Sequence, residues 1–348
     1  MQTGGVRGQD RRFSAGSASL WIASALLCLP GLLLTALRLI PWDIGTPWIQ
    51  LLSLFPATLL FTAAALAAAV GAVLLDSRPS RAIVAAVAAA VLVAQWAMVL
   101  PRILPIGGVT AEAAAVAGSG TGHEVTVMAL NVGPSGVDAR ALIDAARGRK
   151  ADVLALPELA PAGLEALEAA GVAAEFPYRV LDVDYAGTGN GIFSRFPLDV
   201  SERVPGTVFY QSRAEAYLPG IPRGIHLTAV HIDSPRPGHT PFWREELRQL
   251  GELRQGLATG TPAILLGDFN AGQDHREFRD LLATGLTDAS GAAGKGLAPT
   301  WPANSRIPQF VALDHVLVST DITVLAFDAV QIAGTDHAAI VARLSVQG

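Results

Sequence analysis

Asp268 and Asn270 stand two residues apart, just past an apolar run (263–266) that stops at Gly267. On an extended backbone that spacing turns both side chains the same way, so a carboxylate and a carboxamide can address one small group together. Gly-Asp and Asn are equally the residues of an ordinary turn, so the pair gains meaning from what else the chain supplies at strand ends. Asn131 closes the apolar stretch 125–131, and Glu158 follows the apolar run 153–156. His231 and Asp233 close 224–231. Asp314-His315 lies inside 311–319, and Asp336-His337 comes immediately before 338–344. Taken singly, each has a plain structural reading as a surface carboxylate or a hydrogen-bonded histidine. His123, His226, His239 and His275 lack such company and are assigned to surface or structure.

The set has a chemical logic. An ionised carboxylate just past a buried strand needs a partner, and a divalent cation is one. Hard oxygen ligands without cysteine select Mg²⁺, Mn²⁺ or Ca²⁺ rather than zinc. A histidine oriented by a buried aspartate is a general base for water. Amide and imidazole donors stabilise charge on phosphoryl oxygens. Metal, base, oriented water and oxyanion donors together describe hydrolysis of a phosphate ester.

The elements that must position these groups follow from pattern. From 125 onward, short apolar strands alternate with helical stretches, with helices expected at 138–147, 161–170 and 275–282. Further strands are expected at 178–183, 191–196 and 322–329. Thr240-Pro241 reads as the start of a helix whose apolar face is Leu247, Leu250, Leu253 and Leu257. Roughly 220 residues of mixed strand and helix suit one domain with a large core.

The remainder of the chain is of another kind. Over 348 residues it is 51% hydrophobic and 16% charged, with mean hydropathy +0.40, too apolar for an ordinary soluble enzyme. Three apolar runs, 20–40, 48–75 and 82–100, can each cover the ~20 residues a hydrocarbon core requires. Trp21, Trp42 and Trp48 lie near their ends, where amphipathic rings prefer the interface. The expected organisation is a cytoplasmic tail (1–19), three transmembrane helices (20–104), a Gly/Ala/Ser-rich flexible linker (105–124) and a catalytic domain (125–348). Arg78 and Arg81 occupy loop 76–81, whereas loop 41–47 has no basic residue. Positive loops stay inside, which places the tail in the cytoplasm and everything after Leu104 outside the cell membrane. Up to Arg102 there are seven Lys/Arg and three Asp/Glu; beyond it there are 18 and 27. That acidic balance disfavours tight non-specific binding to nucleic acid without excluding a nuclease with a local basic groove. The single cysteine, Cys28, lies in an apolar run and rules out an intramolecular disulfide.

Seven segments in order then carry a family resemblance: Leu130-Asn131-Val132, Leu156-Pro157-Glu158-Leu159, the stretch from Gly189 to Leu198, Ala229-Val230-His231, Gly267-Asp268-Phe269-Asn270, Leu313-Asp314-His315-Val316-Leu317 and Thr335-Asp336-His337. This resembles the endonuclease/exonuclease/phosphatase superfamily, of DNase I-like fold. The resemblance implies an α/β four-layer sandwich, two packed sheets flanked by helices, with the site at one end. It implies Glu158 as principal metal ligand with Asn131 and Asp336 beside it, and Mg²⁺ or Mn²⁺ as cofactor. His337 matches the catalytic histidine and Asp314 the aspartate orienting it. Asp268 would position or activate the attacking water, and Asn270 and His231 would contact the scissile phosphate. Arg195 is expected to be structural or to support the site. Pro157 departs from the glutamine common in the family, which puts the positioning of Glu158 in question. The expected function is a membrane-anchored, metal-dependent phosphoesterase acting outside the cytoplasm, with a small or lipid phosphoester slightly favoured. The alternatives are a DNA or RNA endonuclease and a non-catalytic binding module of the same fold. The expected partners are the substrate and the bilayer.

Overall fold

A computed structural model describes residues 5–40, 43–105, 122–133, 136–185 and 187–347. They fall into two units, one within 1–44 and 48–100 and the other within 45–47 and 101–348.

The first unit is helical: α1 (Gly5–Leu39), α2 (Trp48–Leu52), a 3₁₀ turn (Phe55–Ala57), α3 (Thr58–Leu75) and most of α4 (Pro79–Ile103). The expected tail 1–19 is helical from Gly5 and continuous with the first apolar run. The second run is not one helix, because Pro56 starts a 3₁₀ turn and α3 follows only after it. Three stretches, Ala15–Leu39, Phe55–Leu75 and Pro79–Ile103, are long and apolar enough to cross a membrane by length and composition. Their packing suits an apolar solvent. Ala65, Ala69 and Ala72 are fully buried, while Leu60, Leu74 and Val93 are exposed. Small residues let helix backbones approach closely, and hydroxyls then bond across. Ser17 Oγ donates to Ala72 O (2.9 Å), Ser24 Oγ to Ala65 O (2.7 Å) and Gln95 Nε2 to Thr58 Oγ1 (2.9 Å).

The second unit holds two six-stranded mixed sheets. The strands of the first are β1 (Gly122–Ala129), β2 (Val153–Ala155), β3 (Tyr178–Asp182), β4 (Asn190–Ser194), β11 (Ile322–Gln331) and β12 (Ala338–Gln347), in the order β11-β12-β1-β2-β4-β3. The second contains β5 (Leu198–Ser201), β6 (Ser212–Ala216), β7 (Ile225–His231), β8 (Ala263–Asp268), β9 (Leu286–Asp288) and β10 (Asp314–Ser319), in the order β5-β6-β7-β8-β10-β9. Alternation decides which residues meet: Val125, Val127 and Ala129 of β1 face Leu227, Ala229, Ile264, Leu266, Val316 and Val318 in the core between the sheets. The other face of β1, Met128 and Leu130, packs with Leu142, Ile143 and Ala146 of α5 (Ala139–Gly148). The side chain of Asp138 caps that helix by accepting from Ala141 N (2.9 Å). The helix α6 (Pro161–Ala169) and the short α7 (Val172–Glu175) complete that layer. In the helical layer of the second sheet are α8 (Thr240–Gly256) and α9 (Arg276–Leu282), whereas the short α10 (Ala289–Ala292) packs Ala289 and Ala292 into the core between the sheets. On α8 the buried face is Trp243, Leu247, Leu250 and Arg254, rather than a stripe running to Leu253 and Leu257, which are half-buried.

Sheet direction puts the site at one edge. In each sheet a single parallel pair, β1 with β2 and β7 with β8, ends its two strands on the same side. The antiparallel β12 and β10 begin where those strands end, with Asp314 opposite Asp268. The first strand starts at Gly122, three residues before the expected 125, because 122–124 pair with Gln347, Val346 and Ser345. Most of the expected linker, 106–121, lies outside the described residues, and the unit with the sheets already includes Pro101.

Gly267 has φ +140°, and a Cβ there would lie 2.1 Å from Val230 O on the paired strand β7. The site strand can close against its neighbour only without a side chain at that point. Gly267→Ala is expected to cost ~2–6 kcal/mol, from backbone strain and overpacking together, measured as a lowered denaturation midpoint of the full chain. Unchanged stability would refute this account of the β7–β8 contact.

Candidate active site

Asn131, Glu158, His231, Asp268, Asn270, Asp314, Asp336 and His337 all belong to this one edge. The carboxamide of Asn131 joins the sheets: its Nδ2 donates to Glu158 Oε1 (2.9 Å) on its own sheet and to Asp268 Oδ2 (3.1 Å) on the other. Its Oδ1 accepts from Gly133 N (3.0 Å), which fixes the flip of the amide. Asp268 is buried and surrounded by donors: Asn270 N (2.8 Å), Asn270 Nδ2 (3.3 Å) and Asn131 Nδ2. Asn270 Nδ2 also donates to Ile232 O (2.9 Å), so this amide is held in place.

His337 Nδ1 donates to Asp314 Oδ2 (2.9 Å), and its Nε2 lies 3.7 Å from Asp268 Oδ2. Burial disfavours a charged ring, but the carboxylates of Asp314, Asp268 and Asp336 outweigh it and push His337 up to about 10. The three carboxylates therefore favour the protonated ring, which Asp314 holds at Nδ1 and which faces Asp268 with Nε2. Burial raises Asp268 above the ordinary carboxylate range, against the opposing pull of His337. His231 behaves in the opposite way to His337. Burial, with the nearby charge on His337, pushes it down to about 3, so it is neutral. Its ring stacks on Phe209 (centroids 4.2 Å, 21° between planes), and Nε2 lies 3.6 Å from Glu158 Oε1. Gln211 brackets its backbone, accepting from His231 N (2.9 Å) and donating to His231 O.

Glu158 and Asn270 both adopt left-handed backbone, φ +62° and +45°. Strain at non-glycine residues persists where the surroundings over-determine it, and functional sites are where it collects. Pro157 offers no side-chain hydrogen bond, yet its carbonyl accepts from Val132 N (3.0 Å) and ties the Glu158 turn to the Asn131 strand. Burial raises Glu158, as does Asp336, whereas Asn131 and His337 lower it. Asp336 is exposed and accepts from Trp301 Nε1 (3.1 Å).

Four carboxylates thus face one imidazolium, a donor set of hard oxygens that suits a divalent cation. Asp268, Asp314 and His337 offer ligand atoms within 4.8 Å of one another, a spacing that could hold an ion. Glu158 and Asp336 form a second acidic pair at the mouth.

Arg195 is not among these residues. Its backbone N donates to Asp152 O (2.9 Å) at the start of β2, whereas the site lies beyond the end of that strand. Its side chain pairs with Glu175 (3.2 Å) over the ring of Phe176. The role is structural.

A family model described as the endonuclease/exonuclease/phosphatase family matches residues 128–337. The chain belongs to that family. Family members hydrolyse phosphoester bonds, and this chain is a hydrolase of that class. Among solved structures it is similar to an endonuclease/exonuclease/phosphatase from Beutenbergia cavernae (TM-score 0.50, 19% identity, 65% of this chain and 72% of that one). It is also similar to truncated Caenorhabditis elegans TDP2 (0.51, 19%, 64% and 97%) and to D. rerio TDP2 complexed with single-strand DNA product (0.51, 17%, 64% and 98%). At such identities the likeness carries the fold: two mixed sheets flanked by helices. No curated protein matches the chain.

Several residues supporting this family site carried no signal in the sequence. Gln211 and Phe209 precede a strand that small residues disguise, and Trp301 reaches Asp336 from a long loop. Thr335 was visible only as a neighbour of Asp336; its Oγ1 donates to Asn131 O (2.6 Å) and accepts from His337 N (3.2 Å), tying the two ends of the domain together. Behind the site, His315 Nδ1 faces Asp288 Oδ2 (3.1 Å) and Nε2 donates to Ala271 O (2.9 Å). Asp288 also accepts from Ser290 N and Gln273 Nε2, so every neighbour is a donor. Burial opposes both charges, but each partner holds the other ionised: His315 is raised and Asp288 lowered.

The sign follows. A raised histidine contributes stability that is full below about pH 6.5 and is lost as pH climbs through its folded value; a lowered aspartate contributes above about pH 4 and loses it in acid. Asp288→Asn should therefore destabilise by ~3–5 kcal/mol near pH 6, and the penalty should shrink as pH rises far enough to neutralise His315. Urea unfolding at a series of pH values measures this, and a pH-independent penalty would contradict the ion pair.

Proposed function

We propose that the chain is a membrane-anchored, divalent-metal-dependent phosphoesterase whose catalytic domain works outside the cytoplasm. The observation that carries the chemistry is the His337 ring, gripped by Asp314 on one nitrogen and facing Asp268 with the other. Asp268 is the candidate base. A buried carboxylate of raised basicity, aimed by three N–H donors, can orient an attacking water and take its proton. His337, held as imidazolium, donates to a phosphoryl oxygen and offsets charge there, as neutral His231 does through its N–H, and Asn270 joins them on releasing its longer bond to Asp268. Glu158 and Asp336, whose carboxylates are the less buried ones of the site, are the candidate metal-holding residues, with Asn131 beside them orienting Glu158 through Nδ2 because its own Oδ1 is taken by Gly133 N. Mg²⁺ or Mn²⁺ bound there supplies positive charge against the phosphoryl oxygens. The water attacks in line with the leaving oxygen.

The acidic balance beyond Arg102 favours a small or membrane-associated phosphoester, since long polyanions are repelled. One observation favours the nuclease reading: Trp301 and Phe310 form an edge-on ring pair (6.2 Å) beside Asp336, and bases stack on such rings.

The full chain in detergent, given phospholipid vesicles, a generic phosphodiester, RNA and plasmid, should hydrolyse at least one phosphoester with Mg²⁺ and none in excess EDTA. On the best substrate, His337→Gln or Asp268→Asn should cut turnover ~10²–10⁴-fold while the chain stays folded. Full activity in EDTA, or in a folded His337→Gln variant, sinks the mechanism. Rapid plasmid cleavage with no action on lipid or small esters makes nuclease the better reading.

Orientation rests on Arg78 and Arg81; the expected loop 76–81 shrinks to 76–78, because α4 starts at Pro79 and takes Arg81 into its first turn. Both lie near Asp76 (3.1 and 3.6 Å), but acidic residues weigh little in the positive-inside bias. Reporters fused after Leu104 should be active only when they require export. Activity of a cytoplasm-dependent reporter at that position would reverse the orientation.

A further inference from the structure

Arg102 sits in the last turn of α4, where a basic side chain ordinarily complements the helix dipole in solvent. Here it is 4% exposed and points into the unit that carries the sheets. Its guanidinium makes a two-pronged bond to Asp274, Nη1 to Oδ2 at 2.8 Å and Nη2 to Oδ1 at 2.5 Å, and Asp274 is equally buried. The backbone around it is also locked. Arg102 O accepts from Gly296 N (2.9 Å), and a Cβ on Gly296 would lie 2.8 Å from Arg102 Cβ. A Cβ on Gly294 would meet Pro105 at 2.9 Å.

Asp274 ends the loop that begins at Asp268. Within six residues that loop turns back on itself. Gly272 N donates to His275 Nδ1 (2.9 Å), His275 N donates to Gly272 O (2.9 Å), and the His275 ring meets Trp243 edge-on (5.5 Å). Trp243 Nε1 in turn donates to Asn270 O (3.0 Å). Arg279 Nη1 holds the carbonyls of Gln273 and Asp274 (3.1 and 2.8 Å). The loop is therefore a short strap braced by hydrogen bonds, with a catalytic candidate at one end and a buried ion pair at the other. Buried pairs of this kind add little net stability relative to apolar packing, but their fork geometry fixes orientation.

We propose that Arg102 is a positioning residue for the proposed hydrolytic site: through Asp274 it sets the path of the 268–275 loop, and so the aim of Asp268 and Asn270. The inference rests on the hydrolytic reading of the site, and the catalytic domain accordingly begins at Pro101 rather than at its first strand.

The test compares the full chain with Arg102→Gln, Arg102→Lys, Asp274→Asn and the double Arg102→Gln/Asp274→Asn, in detergent with Mg²⁺, against the best phosphoester of the panel. Two readouts are taken: kcat and KM separately, and amide hydrogen exchange across 268–275. Expected are a tenfold or greater fall in kcat with KM nearly unchanged for Arg102→Gln, and faster exchange confined to the loop. Arg102→Lys, which keeps the charge but loses the fork, should recover only part of kcat. The double variant should be no worse than either single one. Wild-type kcat and wild-type loop exchange in a folded Arg102→Gln chain overturn the proposal, as does a loss of kcat accompanied by general unfolding that Arg102→Lys fully reverses. If the wild-type chain hydrolyses nothing, the hydrolytic reading fails on its own. The exchange data then still decide whether Arg102 pins the loop, with unchanged exchange overturning that as well.

Discussion

The hydrogen bonds of one carboxamide hold the catalytic edge together. Asn131 leaves the first sheet and donates to a carboxylate on each side, Glu158 and Asp268, so the two sheets are registered through its Nδ2. Its carbonyl oxygen and backbone carbonyl are taken by Gly133 N and Thr335 Oγ1, which leaves the amide no freedom to flip. Inter-sheet packing in the core is apolar and tolerant of small slides. The polar edge is not, because a buried carboxylate that loses a donor costs far more than a methyl group that shifts. Position along the strands is thus set where the chemistry happens.

Duplicated topology explains why so few elements suffice. Each sheet contributes one parallel pair and one antiparallel strand entering beside it. Asn131 follows and His231 ends the first strand of its pair, while Glu158 follows and Asp268 ends the second. The two halves nevertheless diverge electrically. His231 is walled in by Phe209 and Gln211 and burial pushes it down, while three carboxylates push His337 up. Two imidazoles at one edge therefore sit in opposite electrostatic surroundings.

Much of this was legible in the chain. Apolar runs ending in polar residues are a strong signal where the strand is buried on both faces, as with β8 and its abrupt stop at Gly267. The signal fails where side chains are small: β6, Ser-Arg-Ala-Glu-Ala, alternates in burial but has too little apolar surface to register as a strand. The protonation of His337 was illegible for another reason. It depends on Asp268 and Asp336 as well as Asp314, and distances across sheets are not written in local spacing. Arg102 was read with the apolar helices because it is contiguous with them; only tertiary structure shows that its partner lies 172 residues away.

The charge balance of the edge limits what it can bind. Glu158, Asp268, Asp314 and Asp336 face a single imidazolium, and two of the four are wholly buried beside it. An anionic phosphoester approaching that array meets more repulsion than His337 alone can offset, and in a water-poor cleft such repulsion is weakly screened. Glu158 adopts left-handed backbone and is only half-buried, and Asp336 is exposed and accepts from the Trp301 indole. On the proposed reading, the two less buried carboxylates would hold a cation and the buried pair beside the histidine would handle the proton. That division follows from burial: a carboxylate sealed behind His337 can tune a proton, whereas one at the rim is placed to compensate the charge that the substrate brings in.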